Sequence, residues 1–473
     1  MNDIFDRFEP LSHNALENIH SASLYLLNHT GVFVESERAR NIFKEHGCKT
    51  DGKKVFIPEP IVTESMKALP SQYLLRALDS RNDQIIGGGH YAFGANGGSS
   101  LISDWDGCQR RPTMKDVDDF YKLMQWAEPV TINTKPVFPS DVNPAYNYHF
   151  LLYSQIIHTD NVLNINEHTI DMLCIAHGID LAKLKSDAER GIYYAYSSLS
   201  PVSPLELTAL QTDAALVYAE LGIVNNISSM PIAGISAPVP LESVIVLRNA
   251  EQLAGIILCA LVNPKAPLLY GTLGTVGNMR TGGAPVGVPE EAILEAAGAQ
   301  LARFYGIPSR GNCGWTSALE CDYQSGAETG LRAYNTVRCG INVLFGLGDL
   351  TSLAQGSKEK FILDVETVEN VRRIMRPLDF TPERICLDLI DSVGHKNSYL
   401  QEKHTLKHFK KEFHQPRLFN HMTYEAWERE SRIHLIEKAH RKVQQILETF
   451  QMPDRDPSIK RDLDRLFKKK NIL

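Results

Sequence analysis

The 473-residue chain lacks the cysteine pattern of a disulfide framework or a zinc ribbon. Its eight cysteines are scattered and no CxxC pair occurs, whereas zinc ribbons and small disulfide-rich domains need cysteines at close, regular spacings. The opening segment, MNDIFDRFEP, carries acidic residues among its apolar ones and lacks the basic lead and apolar stretch of a secretory signal. These absences predict a protein of the reduced cytoplasm.

The chain also lacks a long apolar run and an excess of basic charge. Its longest apolar stretch, LAGIILCALV at residues 253–262, is roughly half as long as a membrane-spanning helix, so we predict a buried helix and no membrane contact. The formal net charge is -7 at pH 7, which excludes the sustained positive field that collects nucleic acid. The basic tail, residues 460–470, is predicted to be a solvated end.

Several catalytic and metal-binding motifs are missing. No GxxxxGK(S/T) or GxSxG occurs, and no GxGxxG is followed by an acidic residue at dinucleotide spacing. His404 and His408 are four residues apart but lack the glutamate of an HExxH site. Cys313 has no identifiable histidine partner and is predicted to be a small buried thiol. We therefore expect no metal site and no nucleophilic acyl chemistry.

What the chain does have, from Pro112 onward, is a regular alternation of strand-like and helix-like segments. Seven strand candidates alternate with helices, at residues 130–138, 161–167, 191–198, 223–234, 266–274, 306–315 and 341–348. This alternation favours a parallel α/β barrel of the TIM (β/α)8 type over an open sheet, with one strand that the sequence does not place.

The chain divides into three predicted parts. Residues 1–80 form an α+β segment, residues 81–357 form the barrel, and residues 358–473 form a helical extension that packs on the barrel or on a second subunit. Within the barrel, the glycine-rich residues 84–104 are predicted to form a pair of strands that lines or covers a pocket. Residues 424–450 are predicted to form one long helix whose apolar stripe needs a partner, which suggests a homo-oligomer. That stripe comprises Trp427, Ile433, Leu435 and Ile436.

Residues 268–283, LLYGTLGTVGNMRTGG, join an apolar strand to a glycine-rich loop. The helix that follows begins near Pro289 with two glutamates and ends at Gly306, so the three pieces form one strand, loop and helix unit. In α/β barrels, the loops at the carboxyl ends of the strands carry the active site. A backbone this bare lets a bulky planar group come very close, although glycines also serve simple turns.

Aromatic and polar residues cluster at the predicted strand ends. Trp, Tyr and Phe rings around a cavity attract a quaternary ammonium through their faces, and Arg can hold a carboxylate. A betaine-shaped ligand would use both, although an aromatic residue taken singly is more often part of a core. The candidate residues are Tyr196, Arg310, Trp315, Phe345, Glu167 and His168.

Four blocks of the chain resemble the trimethylamine methyltransferase family: GTLGTVGNMRTGG, PEEAILEAAGAQLARFYGIP, DYQSGAE and GHKNSYLQEKHTLKHF. The resemblance runs from residue 80 to the end of the chain and is strongest over residues 267–409. It implies an α/β barrel that moves a methyl group from a methylated amine to the cobalt of a separate corrinoid protein. That partner binds transiently and supplies the cobalamin, which this chain is not expected to bind tightly itself.

Archaeal trimethylamine enzymes of that family carry pyrrolysine ahead of the DYQSGAE block, whereas this chain has the ordinary residues TSALEC there. The departure points away from trimethylamine and towards the nonpyrrolysine branch, which is associated with glycine betaine, proline betaine and carnitine. Glycine betaine, which would give dimethylglycine, is the leading substrate. The alternative is the same chemistry on another betaine or on trimethylamine.

The reaction that the resemblance implies needs positioning more than proton transfer. A methyl carbon on a quaternary ammonium leaves behind a neutral tertiary amine, so no catalytic acid or base is predicted. Arg310 is assigned to the carboxylate, and the rings assigned to the ammonium are Trp315, Phe345, Tyr196 and Phe93. Gln324 and Glu328, in the DYQSGAE block, either shape a polar floor or simply begin a capped helix.

Two other functions stay open at this point. An α/β barrel enzyme that acts on a phosphorylated small molecule would grip the phosphate with residues 271–277. A noncatalytic betaine-binding protein would keep the barrel and bind the ligand without turning it over.

Overall fold

An eight-stranded parallel barrel forms the centre of the protein, whose structure, a computed structural model, describes residues 7–472. Its strands are Ala92–Ala95 (β1), Val130–Ile132 (β2), Leu163–Asn164 (β3), Ala195–Leu199 (β4), Val224–Ile227 (β5), Leu268–Gly271 (β6), Ser309–Asn312 (β7) and Val343–Leu347 (β8). Neighbouring strands pair in parallel, β8 pairs with β1, and a bridge between Ile132 and Val162 closes the circle. The predicted TIM-type barrel is confirmed. Residues 1–6, part of the segment for which no secretory signal is predicted, and residue 473 lie outside the described residues.

The strand that the sequence does not place is β1, inside the glycine-rich segment 84–104. All four of its residues are buried, but three of them are alanine or glycine, so the large β-branched residues typical of a strand are absent. A side chain in place of Gly94 would lie 2.6 Å from the Phe345 ring of β8. The close approach of that ring therefore requires glycine, and the usual sequence signal of a strand is lost.

A helical segment follows each barrel strand. In chain order these are Met114–Trp126, Asn147–His158, Ile170–His177 with Leu181–Glu189, Ala209–Leu221, Leu241–Val262, Pro289–Phe304, Tyr323–Arg338 and Lys358–Ile374. The last helix buries Phe361 and Val365 in the same apolar cluster as Leu344 and Leu347 of β8. Because it is the eighth barrel helix, the predicted boundary after residue 357 falls one helix too early.

The helix Leu241–Val262 is long and apolar enough to cross a membrane, but 89% of its most apolar stretch is buried inside the protein. In its middle, the buried Arg248 donates hydrogen bonds to the backbone oxygens of Thr272, Leu273 and Leu294 at 2.7 to 3.0 Å. These bonds tie the helix to the loop after β6 and to the next helix. The predicted buried helix is confirmed, and it begins well before the apolar run at residues 253–262.

Residues 7–91 form an α+β segment, which extends beyond the predicted boundary at residue 80 and covers one side and the amino end of the barrel. Its helices are His13–Tyr25, Glu37–Glu45 and Glu59–Met66, and the strands Val32–Val34, Lys49–Asp51 and Lys54–Phe56 form a sheet with Glu206–Leu207. A second sheet contains Gln72–Leu75, Gln84–Gly87 and Ile192–Tyr193. Its Tyr73, Leu75 and Ile86 side chains join the apolar cluster that fills the barrel. The amino end of the interior is therefore packed.

Shorter elements complete the chain. Beyond the carboxyl ends of the barrel strands, Ile232–Ala233 pairs with Thr275–Val276, and a four-stranded sheet contains Leu101–Ser103, Gln109–Arg110, Asp349–Leu350 and Gln355–Gly356. After the barrel come the helices Pro382–Ile385, Leu387–Val393, Lys403–Glu412, Tyr424–Arg429, Leu435–Glu448 and Pro457–Lys469.

The predicted single helix over residues 424–450 is wrong. The chain breaks at Ser431 and Arg432, whose φ angles of 61° and 52° lie in the left-handed region, so two helices result. The second helix buries Ala439, Val443 and Ile446 in the cluster formed by barrel helices. Its apolar face is therefore covered within the chain and does not need a second subunit.

The basic tail, predicted to be solvated, is a packed helix instead. Its Phe467 ring centroid lies 5.7 Å from that of Phe150 and 5.3 Å from that of Tyr153, both on the helix after β2. Leu463 is also buried, and Lys470 forms an ion pair with Asp171 at 2.7 Å. The basic residues occupy the outer face of an amphipathic helix, which a count of charges does not distinguish from a free end.

Truncating the anchor of this last helix should destabilise the protein. Because Phe467 is buried, Phe467→Ala is expected to lower the free energy of unfolding by about 3 to 5 kcal/mol. Urea denaturation followed by circular dichroism measures the change, with the exposed Lys468→Ala as the control. Equal stability of the two variants would contradict the packed helix and support the predicted solvated tail.

Candidate active site

A cavity of about 480 Å³ opens at the carboxyl ends of the barrel strands. Its volume lies in the range of small-molecule sites. Residues from β3, β4, β7 and β8 line it, together with the loops after β1 to β3 and after β7 and with the helices after β2 and β4. Gly97 and Gly98, from the glycine-rich segment that was predicted to line or cover a pocket, belong to this lining.

The barrel brings six of the nine predicted site residues to this cavity: Tyr196, Arg310, Trp315, Phe345, Glu167 and His168. Three of the six lie on strands β4, β7 and β8, and three lie in the loops after β3 and β7. Because parallel strands end at one rim, residues far apart in sequence meet there. Their roles in binding stay predictions.

Three aromatic rings form one wall of the cavity. The rings of Tyr196 and Phe345 are stacked, with centroids 5.6 Å apart and planes inclined by 15°. The Tyr196 hydroxyl donates a hydrogen bond to the backbone oxygen of Asn133 at 2.5 Å, and burial raises the pKa of this hydroxyl. Trp315 packs directly against the backbone of Gly346 in β8, which has a φ of 106° and no side chain. A Cβ at this position would lie only 2.7 Å from the indole Cδ1.

Arg310 lies against these rings rather than apart from them. Its guanidinium carbon is 5.0 Å from the Phe345 ring centroid and 5.7 Å from the Trp315 ring centroid. The rings that the sequence assigned to a ligand ammonium therefore already hold a cation of the protein. The sequence placed the arginine and the rings at opposite ends of a ligand because it does not reveal side-chain direction.

The Arg310 guanidinium is buried and incompletely hydrogen-bonded. The residue is 9% exposed, and its Nε and Nη1 atoms have no hydrogen-bond partner among residues 7–472. Burial lowers its pKa to about 10, so the group is still charged at neutral pH. A buried donor left unpaired costs about 1 to 3 kcal/mol, so the guanidinium carries an unmet energetic cost in the protein without ligand.

Lys135 is a second cation of the cavity, and sequence reasoning missed it. Its Nζ donates hydrogen bonds to the Asn164 side-chain oxygen and to the Ile165 backbone oxygen, and it lies 5.4 Å from the Tyr148 ring centroid. Burial lowers its pKa to about 8, while the charge of Glu167 acts in the opposite direction. The sequence signal that could have identified Lys135 is its position just after the strand β2, at the active-site end of the barrel. A lysine in such a loop is usually an exposed surface residue, so the position alone did not single it out.

Glu167 is the acidic side chain among the lining residues that the structure describes. The Tyr218 hydroxyl donates a hydrogen bond to its Oε2 at 2.8 Å, and His168 Nε2 lies 3.4 Å from its Oε1. Asn166 caps the short turn that carries both Glu167 and His168. The cavity thus combines two cations with one carboxylate.

Phe93 does not reach the cavity. It is buried in the cluster between strands and helices, together with Phe120 and Tyr121. Its neighbour Ala92 faces the barrel interior instead. Successive residues of a strand point to opposite faces, and the sequence did not fix which of the two faced inward.

Gln324 and Glu328 also lie outside the cavity lining. Of the two predicted alternatives, a polar floor of the cavity or a capped helix start, the structure shows the capped helix start. Asp322 caps the helix by accepting a hydrogen bond from Ser325 N at 3.0 Å, and Gln324 is exposed. Glu328 Oε1 accepts from Gln324 Nε2 at 2.8 Å, and its Oε2 accepts from Ser317 N at 3.0 Å. Glu328 therefore anchors the loop after β7, which carries the Trp315 ring.

The histidines and cysteines singled out by the sequence lie elsewhere. His404 and His408 have ring centroids 4.4 Å apart on the helix Lys403–Glu412, outside the cavity lining. Cys313 is buried, and burial raises the pKa of its thiol. Over residues 7–472, no group of three or more His, Cys, Asp or Glu side chains is arranged to hold a metal ion.

The glycine-rich loop after β6 does not form a phosphate cradle. Its backbone N–H groups at Thr272, Thr275 and Gly277 already donate to carbonyl oxygens at 2.9 to 3.2 Å. A Cβ on Gly271 would lie 2.2 Å from the Ser228 Oγ, so this glycine serves packing inside the barrel. The loop contributes no residue to the cavity lining and stands at the rim. The hypothesis of an enzyme that acts on a phosphorylated small molecule therefore lacks the loop that was expected to bind the phosphate.

Comparison with known proteins gives the family. The sequence model of trimethylamine methyltransferase (MTTB) matches residues 1–472. The chain belongs to the trimethylamine methyltransferase family. It is therefore a methyltransferase, and the resemblance seen in the sequence is confirmed.

Curated members of the trimethylamine methyltransferase family match along almost the whole chain. A glycine betaine methyltransferase of Desulfitobacterium hafniense is 30% identical over 469 residues, which cover 97% of this chain and 96% of the relative. A trimethylamine methyltransferase of Methanosarcina mazei is also 30% identical, over 96% of this chain and 93% of the relative. Both substrates named among these relatives are methylated amines.

A solved structure supports the fold of this methyltransferase. The crystal structure of the Methanosarcina barkeri monomethylamine methyltransferase is similar with a TM-score of 0.51 and 12% identity, over 94% of this chain and 90% of that chain. At this identity the likeness shows the barrel fold alone.

Replacing Arg310 should not cost stability. Arg310→Met removes a buried cation with two unpaired nitrogens, and the thioether keeps contact with the rings. The thermal unfolding midpoint is expected to stay the same or to rise, measured by calorimetry without ligand. A fall of several degrees would make Arg310 a structural support rather than a binding group.

Proposed function

We propose that this methyltransferase moves a methyl group from a quaternary amine, with glycine betaine as the leading substrate, to the Co(I) of a separate corrinoid protein. The observation that carries the proposal is a cavity in which a buried, incompletely hydrogen-bonded arginine lies against two aromatic rings, one of which is stacked on a third. A relative of this chain is a glycine betaine methyltransferase, which supports the same substrate class.

The carboxylate of the betaine would bind at the two cations. Arg310 lines the cavity with a guanidinium that is still charged at neutral pH, and Lys135 adds a second positive charge in the same cavity. Hydrogen bonds between charged groups are shorter and stronger than neutral ones, and burial strengthens them further. Trimethylamine has no carboxylate and would leave both cations unsatisfied, so these residues favour a betaine.

The ammonium would lie against the remaining ring surfaces and the carboxylate of Glu167. Since Arg310 occupies faces of Phe345 and Trp315, these rings cannot form the whole cage that the sequence suggested. Phe138 adds a further ring to the lining, whereas the Tyr148 ring already lies 5.4 Å from Lys135 Nζ. Glu167 supplies the counter-charge for a quaternary cation, which has no proton to donate.

Methyl transfer in this cavity requires orientation and exclusion of water. The carbon–nitrogen bond breaks and its electron pair stays on nitrogen, while cobalt(I) supplies the pair for the new cobalt–carbon bond. The leaving amine is neutral, so no protein acid or base is needed. Orientation alone can lower a barrier by up to roughly 7 to 11 kcal/mol in favourable cases, and a dry site protects a reduced metal from side reactions.

The rim of the barrel has the character that a corrinoid partner would need. Four apolar side chains there are exposed: Leu210 on the helix after β4, and Ile235, Val239 and Met279 on the loops after β5 and β6. Exposed apolar patches mark sites of association, and a corrin ring is broad and planar. Because the methylated acceptor must leave to pass on its methyl group after each turnover, we expect a transient complex and no cobalamin that copurifies with this chain alone.

Methyl transfer to free cobalt(I) cobalamin tests the proposal. We expect methylcobalamin to form fastest with glycine betaine among glycine betaine, proline betaine, carnitine and trimethylamine, as followed by the visible spectrum. Arg310→Met should lower kcat/KM for glycine betaine roughly 10- to 100-fold, since a hydrogen bond to a charged group is worth about 1.5 to 3 kcal/mol. Tetramethylammonium, which has no carboxylate, is the control whose rate this variant should spare.

Two results would reject the proposal. A preference for trimethylamine over every betaine would show that Arg310 and Lys135 do not bind a substrate carboxylate. Tight binding of betaine without any demethylation, also in the presence of the native corrinoid partner, would favour the noncatalytic binding protein.

The affinity for glycine betaine should depend on pH through Lys135. Burial lowers the pKa of Lys135 to about 8, so its positive charge is present below that pH and is lost above it. Affinity measured by calorimetry is therefore expected to fall as the pH rises from about 7 to 9. Lys135→Met should bind weakly with no such slope, and a flat profile for the unaltered protein would exclude a contact with Lys135.

A further inference from the structure

A second cavity, of about 650 Å³, lies at the amino end of the barrel, away from the candidate active site. Its wall includes residues 89–91, which directly precede β1, and Glu128, which precedes β2. The rest of the wall comes from residues 369–376, at the end of the eighth barrel helix, and from residues 414–417. Because the strands of the barrel are parallel, the residues before them lie at the rim opposite the candidate active site.

Positive charge is concentrated in the wall of this second cavity. Four arginines line it against two glutamates, so the wall carries an excess of two positive charges in a protein of net charge -7. The arginines are Arg372, Arg373, Arg376 and Arg417, and the glutamates are Glu128 and Glu369. An acidic protein does not attract polyanions as a whole, so an anion that binds here responds to the local field of the concave wall.

Both glutamates are already paired with arginines of the wall. Glu128 accepts hydrogen bonds from the two Nη atoms of Arg372 at 2.9 and 3.2 Å, and Glu369 Oε1 lies 3.1 Å from Arg417 Nη2. The Arg417 guanidinium also lies 5.1 Å from the Trp126 ring centroid, a cation–π contact that orients it. The excess charge of the wall therefore belongs to the other two arginines.

Arg373 and Arg376 form no ion pair with a carboxylate among residues 7–472. Arg373 Nε donates to the Glu412 backbone oxygen and Arg376 Nη1 donates to the Lys411 backbone oxygen, each at 3.2 Å. These bonds cap the end of a helix and use one nitrogen of each guanidinium. The Glu412 carboxylate accepts instead from Arg384, at 2.7 and 2.6 Å. The other N–H groups of both arginines therefore remain available to an anion in the cavity.

We propose that this second cavity binds a small molecule that carries at least two phosphate groups. A planar guanidinium binds phosphate oxygens through two parallel hydrogen bonds, and these charge-assisted bonds are stronger than neutral ones. Two arginines without carboxylate partners, three positions apart in the chain, favour two neighbouring phosphates over a single carboxylate. Tyr91 and Met375 give the wall an apolar side that would contact the organic part of the molecule.

The size and the place of the cavity fit such a ligand. About 650 Å³ lies within the range of small-molecule sites and greatly exceeds the volume of a single inorganic ion. The ligand would take no part in methyl transfer, because the candidate active site opens at the other end of the strands. A molecule that binds only the folded chain stabilises it, so we expect the ligand to stabilise the end of the eighth barrel helix.

Calorimetry on the full chain tests the site, with pyrophosphate and ADP as probes in about 0.15 M salt. Both probes should bind, and AMP, with one phosphate, should bind roughly tenfold more weakly or worse. The double variant Arg373→Gln, Arg376→Gln should weaken binding of pyrophosphate and ADP by roughly tenfold or more. The matched control, Arg441→Gln, Arg465→Gln, removes the same charge from two exposed arginines outside the cavity and should leave both affinities unchanged.

A second double variant guards against a change in folding. Arg373→Lys, Arg376→Lys keeps the charge but loses the guanidinium forks, so it should bind with intermediate affinity. Its thermal unfolding midpoint without ligand should equal that of the unaltered protein. Tighter binding of ADP than of pyrophosphate would assign a contact to the apolar side of the wall.

Four results would overturn the proposal. Absence of heat with both probes at millimolar concentration excludes the site, and AMP as tight as ADP excludes the requirement for two phosphates. Weak binding shared equally by sulfate, phosphate and pyrophosphate would mean an adventitious ion only. Binding that survives in the Arg373→Gln, Arg376→Gln variant but is lost in Arg310→Met would place the phosphate in the candidate active site. None of these measurements uses a methyl donor, so they do not depend on the proposed reaction.

Discussion

The buried charge of Arg310 is the constraint around which the site is built. A guanidinium beneath the rim of a barrel loses hydration, and the faces of Phe345 and Trp315 return only part of that energy. Two of its nitrogens are left without partners in the described chain. In the proposed function, the carboxylate of the ligand would place a negative charge beside this buried cation and would offset part of its cost.

Further charges hold the loops that surround Arg310. Arg332 pairs with the carboxylates of Glu291 and Glu295, and Glu295 accepts a hydrogen bond from Asn312 N at the end of β7 at 3.1 Å. Lys360 pairs with Asp364, whose Oδ2 accepts from Gly348 N after β8 at 2.8 Å. These pairs contribute little net stability when buried, but their geometry fixes the backbone that presents Trp315 and Phe345. Rigid support of this kind is what a positioning site requires.

The sequence predicted the barrel because strand and helix periods alternate, and six of its nine predicted site residues line the cavity because strand ends converge at one rim. It failed where a side chain's direction or partner decides the outcome. Ala92 and Phe93 are consecutive residues of β1, so one faces the barrel interior and the other faces the surrounding helices. No local sequence signal indicates which residue faces which side. Lys135 looked like a surface residue, since burial depends on strands distant in sequence. The helix break at Ser431 is set by tertiary packing rather than by the apolar pattern around it.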